Sequence, residues 1–279
     1  MSYFTYEVTF KGANMLQAYW YITKMKLLIN LTYRFEVFTS VATNLILMLA
    51  SVFLWQTAYK GGSGSVESLS LQDITTYTIL SIIISTIFVC DVQNTIYYKI
   101  REGQIVTDFY RPIPLFACYL AEDIGEMLSS LLNRALPLVV FASVFFGIPW
   151  PASFRSFLLF LPSCLLSYAI LWLLSALIGL IAFWVMELGN MGNVKDAIVR
   201  VLSGSIVPLW FFPESVQTVS KFLPFQYTYQ TPLGIYIGNT STSEALTSMA
   251  VQAAWVAILC LILAAGWART KKKTLIQGG

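Results

Sequence analysis

The sequence predicts an all-α integral membrane protein with six transmembrane helices, an N-terminal interfacial helix and short partial helices before the last span. Three observations predict it. Long apolar runs recur along the chain, and the clearest, Phe157 to Met186, carries no charged residue. A hydrocarbon layer of about 30 Å needs about 20 apolar residues of helix, and several runs meet that length. Of the 279 residues, 57% are hydrophobic and only 11% charged, against about 25% charged in a soluble domain. Charge is costly in hydrocarbon, which accounts for the shortfall. Finally, the basic residues are distributed unevenly between the loops on the two sides of the predicted spans. With no long polar stretch to build a second domain, residues 1–279 are read as one membrane domain.

Taken in order, the first residues through Lys11 carry Glu7 and lack a compact apolar core, so they do not read as a secretory signal. From Gly12 to Leu31, Leu16, Tyr19, Trp20, Thr23 and Leu27 recur at spacings of three or four, beside Lys24 and Lys26. That pattern predicts a helix lying in the interface with its lysines at the phosphates, or a helix capping the protein. The first span runs from Val37 to Thr57, followed by the Gly/Ser-rich linker Gly61–Ser65. The second span is Ile74 to Asp91. The connection over 93–114 is the longest polar one between spans. Its Gly103 is placed to end or turn a helix, and Pro112 and Pro114 stiffen the return to the membrane.

The third span, Ile124 to Gly147, contains Pro137. The fourth, Phe157 to Met186, is about 45 Å long as a helix and so must tilt, break near Pro162 or project from the bilayer. The fifth, Ala197 to Phe212, is interrupted by Gly204 and Pro208. Residues 213–239 are rich in aromatics and proline, which predicts short helices dipping into the outer interface. The sixth span is Ser243 to Trp267, capped by Thr240, Ser241 or Ser243 with Glu244 in its first turn.

Charge sets the orientation. With both chain ends in the cytoplasm, the N-terminal lysines, the 93–114 connection, Lys195, Arg200 and the tail Arg269–Lys273 fall inside. Only Lys60, Arg155 and Lys221 fall outside. The positive-inside rule selects this assignment.

Composition also excludes chemistry. There is no histidine, and so neither the usual nitrogen ligand for metals nor the usual base near neutral pH. The four cysteines are far apart, without metal or redox spacing. No phosphate-binding loop occurs, so the chain is not expected to hydrolyse ATP itself.

Three places stand out as candidate sites. Arg134, beside Asn133 and one turn before Pro137, is a charge inside a span. It either snorkels or pairs within the bundle, or it lines a substrate path or subunit interface. The 93–114 connection, through Lys99, Arg101, Glu102, Gly103, Gln104, Asp108 and Arg111, is either a rigid element that transmits movement from a partner or a solvated loop. The third is the segment from Ser203 to Pro213. Its Gly204 and Pro208, with Trp210 and Phe211 behind them, mark either a broken helix at a site or a bend.

Together, Arg-Glu-Gly-Gln-Ile at 101–105, Arg-Pro-Ile-Pro at 111–114, Ser-Gly-Ser-Ile-Val-Pro-Leu-Trp-Phe-Phe-Pro at 203–213, Leu-Pro-Phe at 223–225 and Pro-Leu-Gly at 232–234 carry a resemblance. The chain resembles permease subunits of ABC-2 type exporters, in the six-span branch related to daunorubicin-resistance permeases. The resemblance implies two membrane subunits, identical or related, and a dimer of cytoplasmic ABC ATPases that holds the ATP and magnesium; this chain carries no cofactor. It implies an elbow-like interfacial helix at 12–31, a coupling helix within 93–111 that docks on the ATPase, and a pair of partial helices at 213–239. The expected setting is a bacterial cytoplasmic membrane, with membrane lipids and no nucleic acid among the partners. The expected cargo is an amphipathic or hydrophobic drug, lipid-like molecule or peptide; the aromatic residues also permit a cationic one.

Three other classes compete. One is an intramembrane lipid enzyme using Asp91, Glu122, Asp123 or Glu126. Another is a non-transporting scaffold, immunity or signalling subunit of an ABC complex. The third is a secondary transporter, for which neither inverted repeats nor an acidic membrane site is found.

Overall fold

The computed structural model describes residues 15–30, 32–61, 70–110, 113–147, 151–185 and 189–277, and among these every regular element is helical. The long elements are α1 (Met15–Asn30), α2 (Arg34–Lys60), α3 (Leu71–Ile87) and α4 (Val92–Arg101), followed by the five-residue α5 (Ile105–Phe109). Then come α6 (Leu115–Ser130), a π-helical turn (Leu131–Ala135), α7 (Leu136–Phe146), α8 (Phe154–Ile181) and α9 (Met191–Leu202). A 3₁₀ turn (Leu209–Phe211), α10 (Glu214–Lys221), a second 3₁₀ turn (Phe225–Tyr227), α11 (Gln230–Ile237) and α12 (Thr242–Gln277) complete the order.

Among the described residues, five stretches are long and apolar enough to cross a membrane: Arg34–Lys60, Leu71–Arg101, Leu115–Phe146, Phe154–Ile181 and Thr242–Lys271. Several expected boundaries move. The second span ends as a helix at Ile87 and resumes at Val92. The third begins at Leu115 rather than Ile124. The fourth is 28 residues long and passes through Pro162 without a break. The run expected to be a fifth span, Ala197–Phe212, is not one helix. Helix α9 starts earlier, at Met191, and stops at Leu202. Gly204 then takes a left-handed backbone, φ +78°, and Pro208 has no N–H with which to continue a helix. Short helices do occupy 213–239.

Local chemistry explains the starts and stops. Ser70 and Asp73 form a reciprocal capping box at α3, since Asp73 N–H donates to Ser70 Oγ and Ser70 N–H to Asp73 Oδ2. Ser241 and Glu244 do the same at α12, and Ser153 caps α8 through Ser156 N–H. Pro137 is the second residue after the π turn. The wider turn gives the proline ring room where a regular turn would press it on the carbonyl four residues back.

Packing fixes the frame. Helix α8 is the central post and lies against α4, α11 and α12. Helix α1 crosses α6 at Gly125, where an added Cβ would meet the Thr23 carbonyl. Thr23 Oγ1 donates to the Ala121 carbonyl at 2.9 Å, and Lys26 pairs with Glu126 at 3.4 Å. The other face of α1 exposes Leu16, Trp20, Tyr21 and Met25.

Candidate functional site

The connection between the second and third spans is a folded helical turn. Gly103, at φ +72°, reverses the chain between α4 and α5. Asp108 is buried and fastens α5 from beneath. Its Oδ2 lies 2.9 Å from Lys99 Nζ on α4 and accepts the Tyr119 hydroxyl of α6 at 2.7 Å. Lys99 also sits 4.6 Å over the Tyr119 ring. These are inward contacts, so Lys99 and Asp108 build the turn, while Arg101, Glu102, Gly103 and Gln104 remain exposed on its outside. Val106 and Tyr110 extend that exposed face. Arg111 lies outside the described residues.

The turn is joined to the last span by aromatic rings. Trp267 of α12 meets Phe109, Phe116 and Phe183, with ring centroids 5.7, 5.3 and 5.6 Å away. Nearby, Trp184 donates its indole N–H to Thr270 Oγ1 at 3.0 Å.

The interruption at 88–91 is also bonded. Asp123 accepts the backbone N–H groups of Asp91 and Val92 at 3.3 and 3.2 Å, and the Trp172 indole N–H at 2.9 Å. Two spans therefore close the opened turn of a third. Three of the four acids considered for catalysis have structural partners. Asp123 caps α4, Glu126 binds Lys26 and Asp91 accepts from Asn94.

The segment after α9 has its polar backbone satisfied by neighbouring side chains. Tyr77 Oη lies 2.8 Å from the Gly204 carbonyl, and Ser81 Oγ donates to the Ser205 carbonyl at 2.6 Å. Gln230 N–H donates to the Ser203 carbonyl at 3.0 Å, and Gln230 Oε1 accepts from Leu209 N–H at 3.0 Å. Irregular backbone at membrane depth needs such partners. Behind it, Trp210 packs edge-on to Tyr77, and Phe211 lies 4.9 Å from the Trp55 ring.

Helices α2, α3, α8 and α9 line an open cavity of about 730 Å³. Its wall is rich in hydroxyls, Ser40 and Ser51 from α2 and Thr78, Ser81 and Ser85 from α3, with the amide of Asn44 beside them. Arg134 from the π turn and Lys195, Asp196 and Arg200 from α9 supply charge. Arg134 Nη2 pairs with Glu36 of α2 at 3.0 Å. Lys195 Nζ lies 2.8 Å from Asp196 Oδ1 and 2.7 Å from Ser175 Oγ of α8.

The structure thus brings Arg134 to this cavity. Asn133 instead donates to Ser129 Oγ at 3.1 Å on its own helix. Gly204, Pro208, Trp210 and Phe211 form the bonded segment beside the cavity, and of that segment Ser205 and Ile206 reach the lining. Trp210 lines a second space of about 220 Å³ with Gln217 and Gln230. Sequence reasoning missed Lys195, Arg200, Tyr77, Gln230 and the hydroxyls. A readable signal existed for part of this. Ser40, Asn44 and Ser51 form a polar stripe at helical spacing within an apolar run, and Thr78, Ser81 and Ser85 form another. For Tyr77 and Gln230, 153 residues apart, no local signal exists.

No curated protein matches this chain. The sequence model of the family described as ABC-2 family transporter protein matches residues 45–278, from within α2 to the end of α12. That match covers the later part of α2 and every helix after it, and the chain therefore belongs to the ABC-2 transporter family.

Proposed function

We propose that the chain is the membrane permease subunit of an ATP-driven exporter, energised by separate cytoplasmic ABC ATPase subunits and paired with a second permease, identical or related. The observation that carries this reading, beside family membership, is the α4–α5 turn. It is braced inward through Asp108 and Trp267, yet it presents Arg101, Glu102, Gln104 and Tyr110 outward. Such a turn can take a push at one end and pass it to α4, α6 and α12 together. ATP and magnesium belong to the partner, and hydrolysis takes place there.

In this reading the chain crosses six times, with both ends cytoplasmic. The fifth crossing is composite. Helix α9 begins with Gly192 against Gln93, and the segment after it reaches Tyr77, more than four turns along the second span. The short helices after Pro213 then lie on the outer side, and α1 lies at the inner interface with its exposed aromatic face toward lipid. The hydroxyl-lined cavity is where an amphipathic substrate enters from the bilayer.

Copurification from membranes tests the proposal. A cytoplasmic ATPase is expected to accompany the tagged chain, and its hydrolysis to rise with substrate. A stable protein with no ATPase partner would count against the reading.

A further inference from the structure

The large cavity carries more basic than acidic side chains. Arg134, Lys195 and Arg200 line it, and Asp196 is the acidic residue among its lining. Their commitments differ. Lys195 is bound to Asp196 and Ser175. Arg134 gives one N–H to Glu36. Arg200 forms no ion pair among the described residues. Asp196 lies one turn before Arg200, but its Oδ1 is held by Lys195.

The hydroxyls do not answer this charge with an anion. Thr78 and Thr86 donate back to the Ile74 and Ile82 carbonyls, and Ser81 donates to Ser205. They leave weak acceptor lone pairs facing the space. Leu47, Ile82 and Ile206 add apolar side chains to the wall. Arg200 is exposed, and its guanidinium thus offers five donors beside these apolar side chains.

We propose that this cavity takes an acidic amphiphile. Its phosphate or carboxylate group pairs with Arg200, within the field of Arg134 and Lys195, and its hydrocarbon part lies along Leu47, Ile82 and Ile206. The proposal rests on the exporter reading for the cavity being a substrate site, and it narrows that reading to anionic cargo. A cationic amphiphile would meet like charge here. The same chemistry has two sources, a transported acidic compound or a resident anionic membrane lipid.

The test uses the full chain purified in a neutral detergent. The probes are phosphatidic acid, phosphatidylcholine and diacylglycerol bearing the same acyl-chain fluorophore. Phosphatidic acid is expected to bind about tenfold more tightly than diacylglycerol, as one charge-assisted pair implies. Arg200→Gln should lose about that tenfold, and Arg200→Lys should retain most of it. Unchanged elution and thermal midpoint would establish that Arg200→Gln is folded; Arg134→Gln, with a smaller expected loss, is the second variant. Equal binding of the three probes, or full binding by folded Arg200→Gln, overturns the proposal. Proteoliposomes containing the copurified ATPase separate the two sources. ATP-dependent movement of the acidic probe marks it as cargo. Selective, Arg200-dependent binding without movement upholds the site as a lipid site and counts against the exporter reading alone.

Discussion

Phe109 and Trp267 lie face to face, their ring centroids 5.7 Å apart and their planes 2° from parallel. Phe109 ends α5, and Trp267 stands near the far end of the last long helix. Sequence separates them widely, but in the fold the exposed turn and α12 share one contact. Phe116 and Phe183 close around the same indole. Movement imposed on α5 therefore reaches α6, α12 and the turn that follows α8 through direct ring contacts.

Trp267→Ala removes that shared contact. Because the indole is only partly buried, a loss of about 2–3 kcal/mol is expected, below the range for a full core truncation. Trp267→Phe should recover most of it. Thermal unfolding in detergent measures the loss. Limited proteolysis should show the α5 turn cleaved faster in the alanine variant.

Asp108 and Arg101 should separate structure from docking. Asp108→Asn removes the charge that holds Lys99 and weakens the bond from Tyr119. A cost of about 3 kcal/mol is expected for breaking a buried pair on one side. Hydrogen exchange across 101–110 should accelerate. Arg101→Ala, at an exposed position, should change stability by less than about 0.5 kcal/mol yet weaken retention of the ATPase on copurification. Equal effects on stability from the two variants would refute the division of roles.

Gly204→Ala tests the bonded segment. An added Cβ would lie 2.5 Å from Gln230 Oε1 and 3.0 Å from Tyr77 Oη, at a φ of +78° that disfavours any side chain. Gln230→Ala removes the Oε1 that accepts from Leu209 N–H and the Tyr77 hydroxyl, at a cost of about 1–3 kcal/mol, while the backbone bond to the Ser203 carbonyl remains. Both variants should lower the thermal midpoint, and Gly204→Ala the more. A Gly204→Ala protein as stable as the parent would mean that the segment relaxes freely.

Gly125→Val should lift α1 from α6, because even a first added carbon meets the Thr23 carbonyl. The Thr23 and Lys26 contacts would be lost together. Faster protease removal of the N-terminal helix, with the remaining fragment intact, is the expected readout.

The frame was legible because lipid imposes it. Apolar runs of span length have no other place to be buried, and the caps Ser241 and Glu244 announce a helix start by side-chain chemistry alone. The start of the fifth segment was misread for a related reason. Lys195 and Asp196 resemble a solvated turn by sequence, whereas Lys195 donates to Ser175 of α8. The helix therefore starts before its apolar run does. Asp108 was read as part of the transmitting connection, but its direction could not be read. Whether a charge points to solvent or inward depends on Tyr119, eleven residues away across a turn.

The five-residue π turn from Leu131 to Ala135 holds one more residue than a regular turn would. The half of the span after it is consequently rotated by about 100° from the phase that its first half would dictate. That offset lets one continuous span present Asp123 and Gly125 to one set of neighbours and Leu138 and Ala142 to another. Deleting a single residue here would keep every side chain type in the span and restore regular winding. It would also swing Arg134 off Glu36, so the span's pattern of neighbours depends on the residue count in this turn.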